Sequence, residues 1–202
     1  MYGLGKAVVS FIVLAVLLKL SSCQGDCNSK FTDWTNAGGG DTALLYQHIM
    51  DCGGDNNVLQ SFLVESSGEN IRYIYTCCRF ANNNNICNLR QKADGLAETG
   101  KENIPYLDRT PVSCYDGALN KLKLVRNGGQ DHWRYEYVCC NYNPLYKSRS
   151  NCYTNGYNGY ADYYWDRPEI GCDGRYFLRG LSFNLYLNQN KLQYSIKCCA
   201  II

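Results

Sequence analysis

The sequence predicts an all-β protein: three pseudo-repeated, disulfide-stapled β-hairpin units packed as one pseudo-threefold domain. Three observations carry that expectation. First, the stretch His132-Trp133-Arg134-Tyr135-Glu136-Tyr137-Val138-Cys139-Cys140 has counterparts at residues 70–78 and 191–199, each ending in a vicinal cysteine pair. Second, every copy alternates with period two, the pattern of a strand with two unlike faces. Trp133, Tyr135, Tyr137 and Cys139 share one face, matched by Ile71, Tyr73, Tyr75, Cys77 and by Leu192, Tyr194, Ile196, Cys198. The opposite face is mostly polar. Third, the preceding strands align too: Leu59-x-x-Phe62-x-Val64 matches Leu119-x-x-Leu122-x-Leu124 and Leu178-x-x-Leu181-x-Phe183. A lone hairpin with one apolar face is marginal in water, so the three are expected to bury those faces together.

Taken in order, residues 1–23 read as a secretory signal peptide. Lys6, the apolar run 7–18 and then Ser21, Ser22 and Cys23 give its charged, apolar and small-residue order. That run is short for a membrane span. Residues 24–202 are then one secreted, extracellular domain of three repeats, 27–80, 87–142 and 152–202. In the first repeat, residues 31–41 are rich in turn formers and read as irregular. Residues 41–50 are either a helical turn or extended, and 58–65 read as strand. Ser66-Ser67-Gly68-Glu69-Asn70 is expected to loop back with more than a two-residue turn. Residues 81–85 form a polar linker. The second hairpin joins residues 118–125 to the strand ending at Cys140, through Asn127-Gly128-Gly129, where glycine accepts positive φ. The third joins 176–187 to 192–199 through Asn188-Gln189-Asn190.

The cysteines follow the same plan. Of 13, Cys23 leaves with the signal, and the other 12 fall four to a repeat: a leading one, a middle one about 25 residues before the pair, and the pair. An even, regular set in a secreted chain reads as a disulfide framework. Zinc would need knuckle spacing or neighbouring histidines, and only His48 and His132 are present. No metal or cofactor is expected. Three connectivities per repeat are formally open. Neighbouring cysteines on a strand face opposite ways, so the middle cysteine is expected to bond the first of the pair across the hairpin. The leading cysteine then takes the second and ties the repeat's opening onto the outer face. The expected pairs are Cys52–Cys77 and Cys27–Cys78, Cys114–Cys139 and Cys87–Cys140, Cys172–Cys198 and Cys152–Cys199; a loop of about 25 residues closed by a bridge is worth roughly 3–4 kcal/mol in the chain-entropy picture.

Removing Lys6 and Lys19 from the 20 basic residues leaves 18 against 18 acidic ones, a neutral chain. Such balance gives no broad field for nucleic acid or anionic membranes. Catalysis is not expected, because it needs a convergent set of titratable groups. His48 reads as a surface or cap histidine and His132 as a solvated strand entry. Asp162 and Asp166 lack an ordered ligand or acid–base pattern. The candidate binding surface is instead Tyr153, Tyr157, Tyr160, Tyr163, Tyr164 and Trp165, set among glycines and asparagines in what reads as a long loop. Tyrosine offers large contact area with a polar tip; the plainer reading is that these rings cap the core.

Two stretches carry a family resemblance: Trp133-Arg134-Tyr135-Glu136-Tyr137-Val138-Cys139-Cys140-Asn141-Tyr142 and Tyr176-Phe177-Leu178-Arg179-Gly180-Leu181-Ser182-Phe183. In spacing they resemble dermatopontin and the haemagglutinin/amebocyte aggregation factors, which are secreted, tyrosine-rich and disulfide-stapled. The family's Asp-Arg-x-Trp signature is absent; its positions read Asn70-Ile71-Arg72-Tyr73, His132-Trp133-Arg134-Tyr135 and Lys191-Leu192-Gln193-Tyr194. Contacts that depend on it are not carried over. The resemblance implies a non-catalytic extracellular-matrix or cell-adhesion protein that binds matrix proteins, proteoglycans or cell-surface glycans, or assembles with itself. The alternative is a carbohydrate-binding module or agglutinin using the tyrosine-rich segment.

Overall fold

The computed structural model describes residues 26–36, 46–54, 56–79, 86–92, 111–115, 117–127, 132–141, 151–160, 169–186 and 191–200. The expected signal peptide, the linker 81–85 and the turns at 128–131 and 187–190 lie outside them. The described residues are all-β, with 13 strands in three antiparallel sheets.

Each sheet is centred on one hairpin. In the first, β4 (Asn57–Ser67) pairs with β5 (Asn70–Arg79); in the second, β8 (Gly117–Asn127) with β9 (His132–Asn141); in the third, β12 (Tyr176–Tyr186) with β13 (Lys191–Ala200). The first hairpin corrects one expectation. Ser67 lies opposite Asn70, so the turn is the two-residue Gly68–Glu69. Gly68 has φ of 59°, and a glycine with positive φ at the first central position suits the tight turns that match strand twist.

The segments that carry the leading cysteines are strands as well. Of residues 31–41, expected to be irregular, Phe31 ends β1 (Cys27–Phe31) and Thr35–Asn36 form β2, both paired with β5; residues 32–34 belong to no strand, and 37–41 lie outside the described residues. Likewise β6 (Ile86–Lys92) pairs with β9, and β10 (Cys152–Tyr160) pairs with β13 over its whole length. Cys27 sits directly opposite Cys78, and Cys152 opposite Cys199. The leading disulfides Cys27–Cys78 and Cys152–Cys199 therefore clamp an edge strand beside its neighbour. They do not lay the opening over the outer face, because hydrogen bonding to a vacant sheet edge satisfies the main chain of the opening directly.

Each hairpin also pairs with a short strand that precedes a different hairpin in the chain. β3 (Ile49–Asp51), just before Cys52, pairs with β8 in the second sheet. β7 (Val112–Ser113), just before Cys114, pairs with β12 in the third. β11 (Ile170–Gly171), just before Cys172, pairs with β4 in the first. The exchange runs first to second, second to third and third to first. It also changes the meaning of the middle disulfides. Cys52–Cys77, Cys114–Cys139 and Cys172–Cys198 leave one sheet and end in another, so they staple sheets together instead of crossing a hairpin. Cys140 is disulfide-bonded too, while the Cys87 side chain lies outside the described residues.

A bulge makes the exchange possible. The register of each hairpin slips once, between Leu59 and Ser61, Leu119 and Lys121, Leu178 and Gly180. The extra residues are Gln60, Asn120 and Arg179, whose carbonyls accept the N–H groups of Cys172 (3.1 Å), Cys52 (3.0 Å) and Cys114 (2.8 Å). A bulge turns one residue's polar groups out of its own ladder; here the residue that follows the incoming short strand takes them. Where β11 meets β4 there is room only for glycine, since a Cβ on Gly171 would collide with the Ser61 side chain.

The core lies between the sheets. Leu59, Leu119 and Leu178 are fully buried at equivalent hairpin positions, with Phe62, Leu122, Leu181, Tyr73, Tyr75, Tyr135, Tyr137 and Ile196 around them. Buried phenols need partners. Tyr137 donates its O–H to the Ser113 carbonyl at 3.2 Å, and Tyr75, its counterpart, donates to the Asp51 carbonyl at 3.4 Å. Both acceptors immediately precede a middle cysteine.

Candidate functional site

The expected tyrosine surface divides in three. Tyr153, Tyr157 and Tyr160 lie on β10, so this part is an edge strand and not a loop. Tyr163, Tyr164 and Trp165 lie outside the described residues, as do Asp162 and Asp166. Tyr153 faces inward: its ring meets Tyr176 edge-on at 4.8 Å, and its hydroxyl accepts the Asp173 N–H at 2.9 Å. It closes the core beside Cys172.

His48 is also not at the surface. It is buried at 5 % exposure, edge-on to the Tyr73 ring at 6.2 Å. Burial lowers its pKa from the ordinary 6.5, with Asp33 opposing the shift. Its Nε2 has no hydrogen-bond partner. A neutral imidazole filling the seam between the first and second sheets accounts for all of this. Burial raises the pKa values of Tyr73 and Tyr135, and Tyr135 is raised further by Tyr73; both phenols stay protonated. No group of three His, Cys, Asp or Glu side chains among the described residues could hold a metal ion.

The outer face of the first sheet has a different character. Phe31 is 68 % exposed and Trp34 42 % exposed. Between them stands Arg72, its guanidinium 4.2 Å from the Trp34 ring centroid and 5.0 Å from that of Phe31. Its Nε bonds Glu65 at 2.5 Å. Leu63 and Ile74, a cross-strand pair, continue this face, with Phe31 opposite Ile74 on the other side.

Local chain geometry brings the two aromatics together. Phe31 ends β1, and Thr32 then replaces strand pairing with two bonds to Tyr73: its N–H donates to the Tyr73 carbonyl and its Oγ1 accepts the Tyr73 N–H, both at 3.0 Å. The chain rejoins the ladder at Thr35, opposite Ile71. Three residues, 32–34, thus face two on β5, and the extra one swings Trp34 over Arg72, as a bulge does.

The equivalent pairs elsewhere are polar: Lys123 opposite Glu136 in the second sheet and Ser182 opposite Ser195 in the third. Leu63 and Ile74 depart from that rule, and Ile74 interrupts an otherwise polar face of the repeated stretch. That interruption is the available sequence signal for this site, and a reading of the face as mostly polar passes over it. An exposed aromatic cluster around an arginine has the composition of interface hot spots.

On the other side of β1 from Phe31, a cleft of about 190 Å³ is lined by Asp26, Asn28, Lys30, Asn57 and Arg79 beside Cys52 and Cys77. Lys30 donates to the Asp51 and Cys52 carbonyls at 3.1 and 3.0 Å, tying β1 to the segment that crosses between sheets.

No family model, curated protein or solved structure matches the chain. Chemistry and geometry therefore carry the functional reading. No helix among the described residues is long and apolar enough to cross a membrane, and the disulfides among the described residues suit an oxidising compartment.

Proposed function

We propose that this chain is a secreted, non-catalytic structural or adhesive protein of the dermatopontin type. In this reading three pseudo-repeats surround a threefold axis, and the molecule binds matrix proteins, proteoglycans or cell-surface glycans, or assembles with itself. The cyclic strand exchange and the equivalent bulges at Gln60, Asn120 and Arg179 support the threefold plan. One observation carries the adhesive role: the exposed Phe31–Arg72–Trp34 cluster on a scaffold whose sheets are joined covalently. Rigid scaffolds lower the ordering cost of binding.

The test is surface binding of the purified protein to collagens, sulfated glycosaminoglycans and cell-surface glycoproteins. Saturable binding that Trp34→Ala weakens by about tenfold, as expected of a hot spot, supports the reading. Turnover of an ester, peptide or glycoside substrate would overturn its non-catalytic part. The carbohydrate-binding alternative draws on the same place, where the half-exposed Trp34 indole lies near the Glu65–Arg72 pair and offers a sugar both an apolar face and polar partners. Inhibition by simple sugars on a glycan array favours that alternative.

A further inference from the structure

The three sheets end on unlike outer edges. β1 carries Lys30 and is only five residues long. β6 carries Arg90 and Lys92 and breaks register between Ile86 and Leu89. β10 runs nine residues, Cys152-Tyr153-Thr154-Asn155-Gly156-Tyr157-Asn158-Gly159-Tyr160, with no charge, no proline and no register break. Natural edge strands are blunted by those devices, because an unblunted edge is a template for another strand.

The direction of the β10 main chain follows from two contacts. Ala200 N–H donates to the Asn151 carbonyl at 2.9 Å, which makes Asn151 and Ala200 a hydrogen-bonded pair. The next pair, Cys152 and Cys199, has Cα atoms 4.1 Å apart, the short spacing of a non-hydrogen-bonded pair. Alternation from there aims the main-chain groups of Tyr153, Asn155, Tyr157 and Gly159 at β13. Those of Thr154, Gly156, Asn158 and Tyr160 point away from it. Among the described residues, no strand pairs with this outward row.

We infer that β10 is the surface through which two copies of this chain assemble, their outward rows pairing antiparallel into one continuous sheet. A second copy is favoured because the row is its own complement. A twofold axis midway between the two copies of Gly156 sets Gly156 opposite Gly156 and Thr154 opposite Asn158, every pair a hydrogen-bonded one. Nor does either strand bring a charge that would repel its copy. The inference rests on the self-assembly half of the reading above and gives it a place.

The experiment is size-exclusion chromatography with light scattering and sedimentation over a concentration series. It uses the full chain with disulfides intact, alongside Asn158→Pro and Thr154→Lys. Proline at position 158 removes an outward N–H that its own sheet does not use, a position where edge strands tolerate it. Lysine at 154 supplies the missing edge charge and remains informative if the proline variant misfolds. The wild type is expected to reach twice the chain mass as concentration rises. Either variant should raise the dissociation constant by about tenfold or more, with unchanged thermal unfolding of the monomer. A wild type that stays monomeric throughout, or pairs only with added strand-forming peptides, overturns the inference. If it also binds matrix partners, the adhesive reading stands without it. Equally tight assembly of folded variants places self-association on another surface and likewise overturns it.

Discussion

The Cys52 N–H donates to the Asn120 carbonyl at 3.0 Å, and the Asn120 Nδ2 donates to the Asn57 and Gly54 carbonyls at 2.7 and 3.2 Å. Asn120 thus holds the segment that follows β3 twice, by its main chain at Cys52 and by its side chain at Gly54 and Asn57. Gln60 does the equivalent with Cys172 and Gly174, and Arg179 with Cys114. The bulge residue is a joint between sheets.

Removing that joint should be costly. Asn120 is buried, and Asn120→Ala leaves two carbonyls without their donor, with an expected loss of about 1–3 kcal/mol. Chemical denaturation measures it. Wild-type stability in the variant would show that these bonds contribute nothing net.

Gly171 tests the close approach of β11 to β4. Gly171→Ala should destabilise by about 2 kcal/mol, a fall in Tm of about 4–8 °C for a chain of this size. Ser61→Gly removes the colliding atom, so the double variant should recover part of the loss. Additive effects would mean that Gly171 is required for another reason.

Breaking the staple between the first two sheets, with Cys52→Ala and Cys77→Ala together, should lower stability by about 3–4 kcal/mol. The Cys27–Cys78 bridge spans 51 residues rather than 25, so its paired removal should cost slightly more in the same picture, about 4 kcal/mol. Urea titrations of both double variants decide whether loop length governs the order. The reverse order would point to the inter-sheet packing that Cys52–Cys77 holds.

His48 gives the fold a pH dependence. Its pKa is lowered by burial in the folded state, so the unfolded chain binds the proton more tightly. The contribution of the neutral ring is complete above the ordinary pKa of 6.5. It is lost progressively as pH falls below that value, with a slope of at most about 1.4 kcal/mol per unit. His48→Phe keeps an aromatic edge against Tyr73 and should flatten the profile between pH 6.5 and about 5. An unchanged profile assigns the dependence to other groups.

Much of the fold was legible because strands with one buried face write their period into the chain. Tyr73, Tyr75 and Cys77 alternate inward, and the structure pairs them with Val64, Phe62 and Leu59. Even the bulge was present, as the three-residue step in Leu59-x-x-Phe62-x-Val64, since a residue inserted into a ladder lengthens one interval between inward positions. The site was less legible. Phe31 and Trp34 are separated by a local detour at Thr32, and what makes them a surface is Arg72, on a different strand.

The sequence by itself determined the all-β character and the places of the hairpin strands, because those follow from contacts between strands adjacent in the chain. Only the tertiary structure decided which sheet receives Ile49–Asp51, Val112–Ser113 and Ile170–Gly171. Strands of two or three residues hold no readable period, and their partners, such as Leu122 for Met50 and Phe62 for Ile170, are chosen by how the hairpins pack. The same holds for His48, buried by a seam that exists only once two sheets meet.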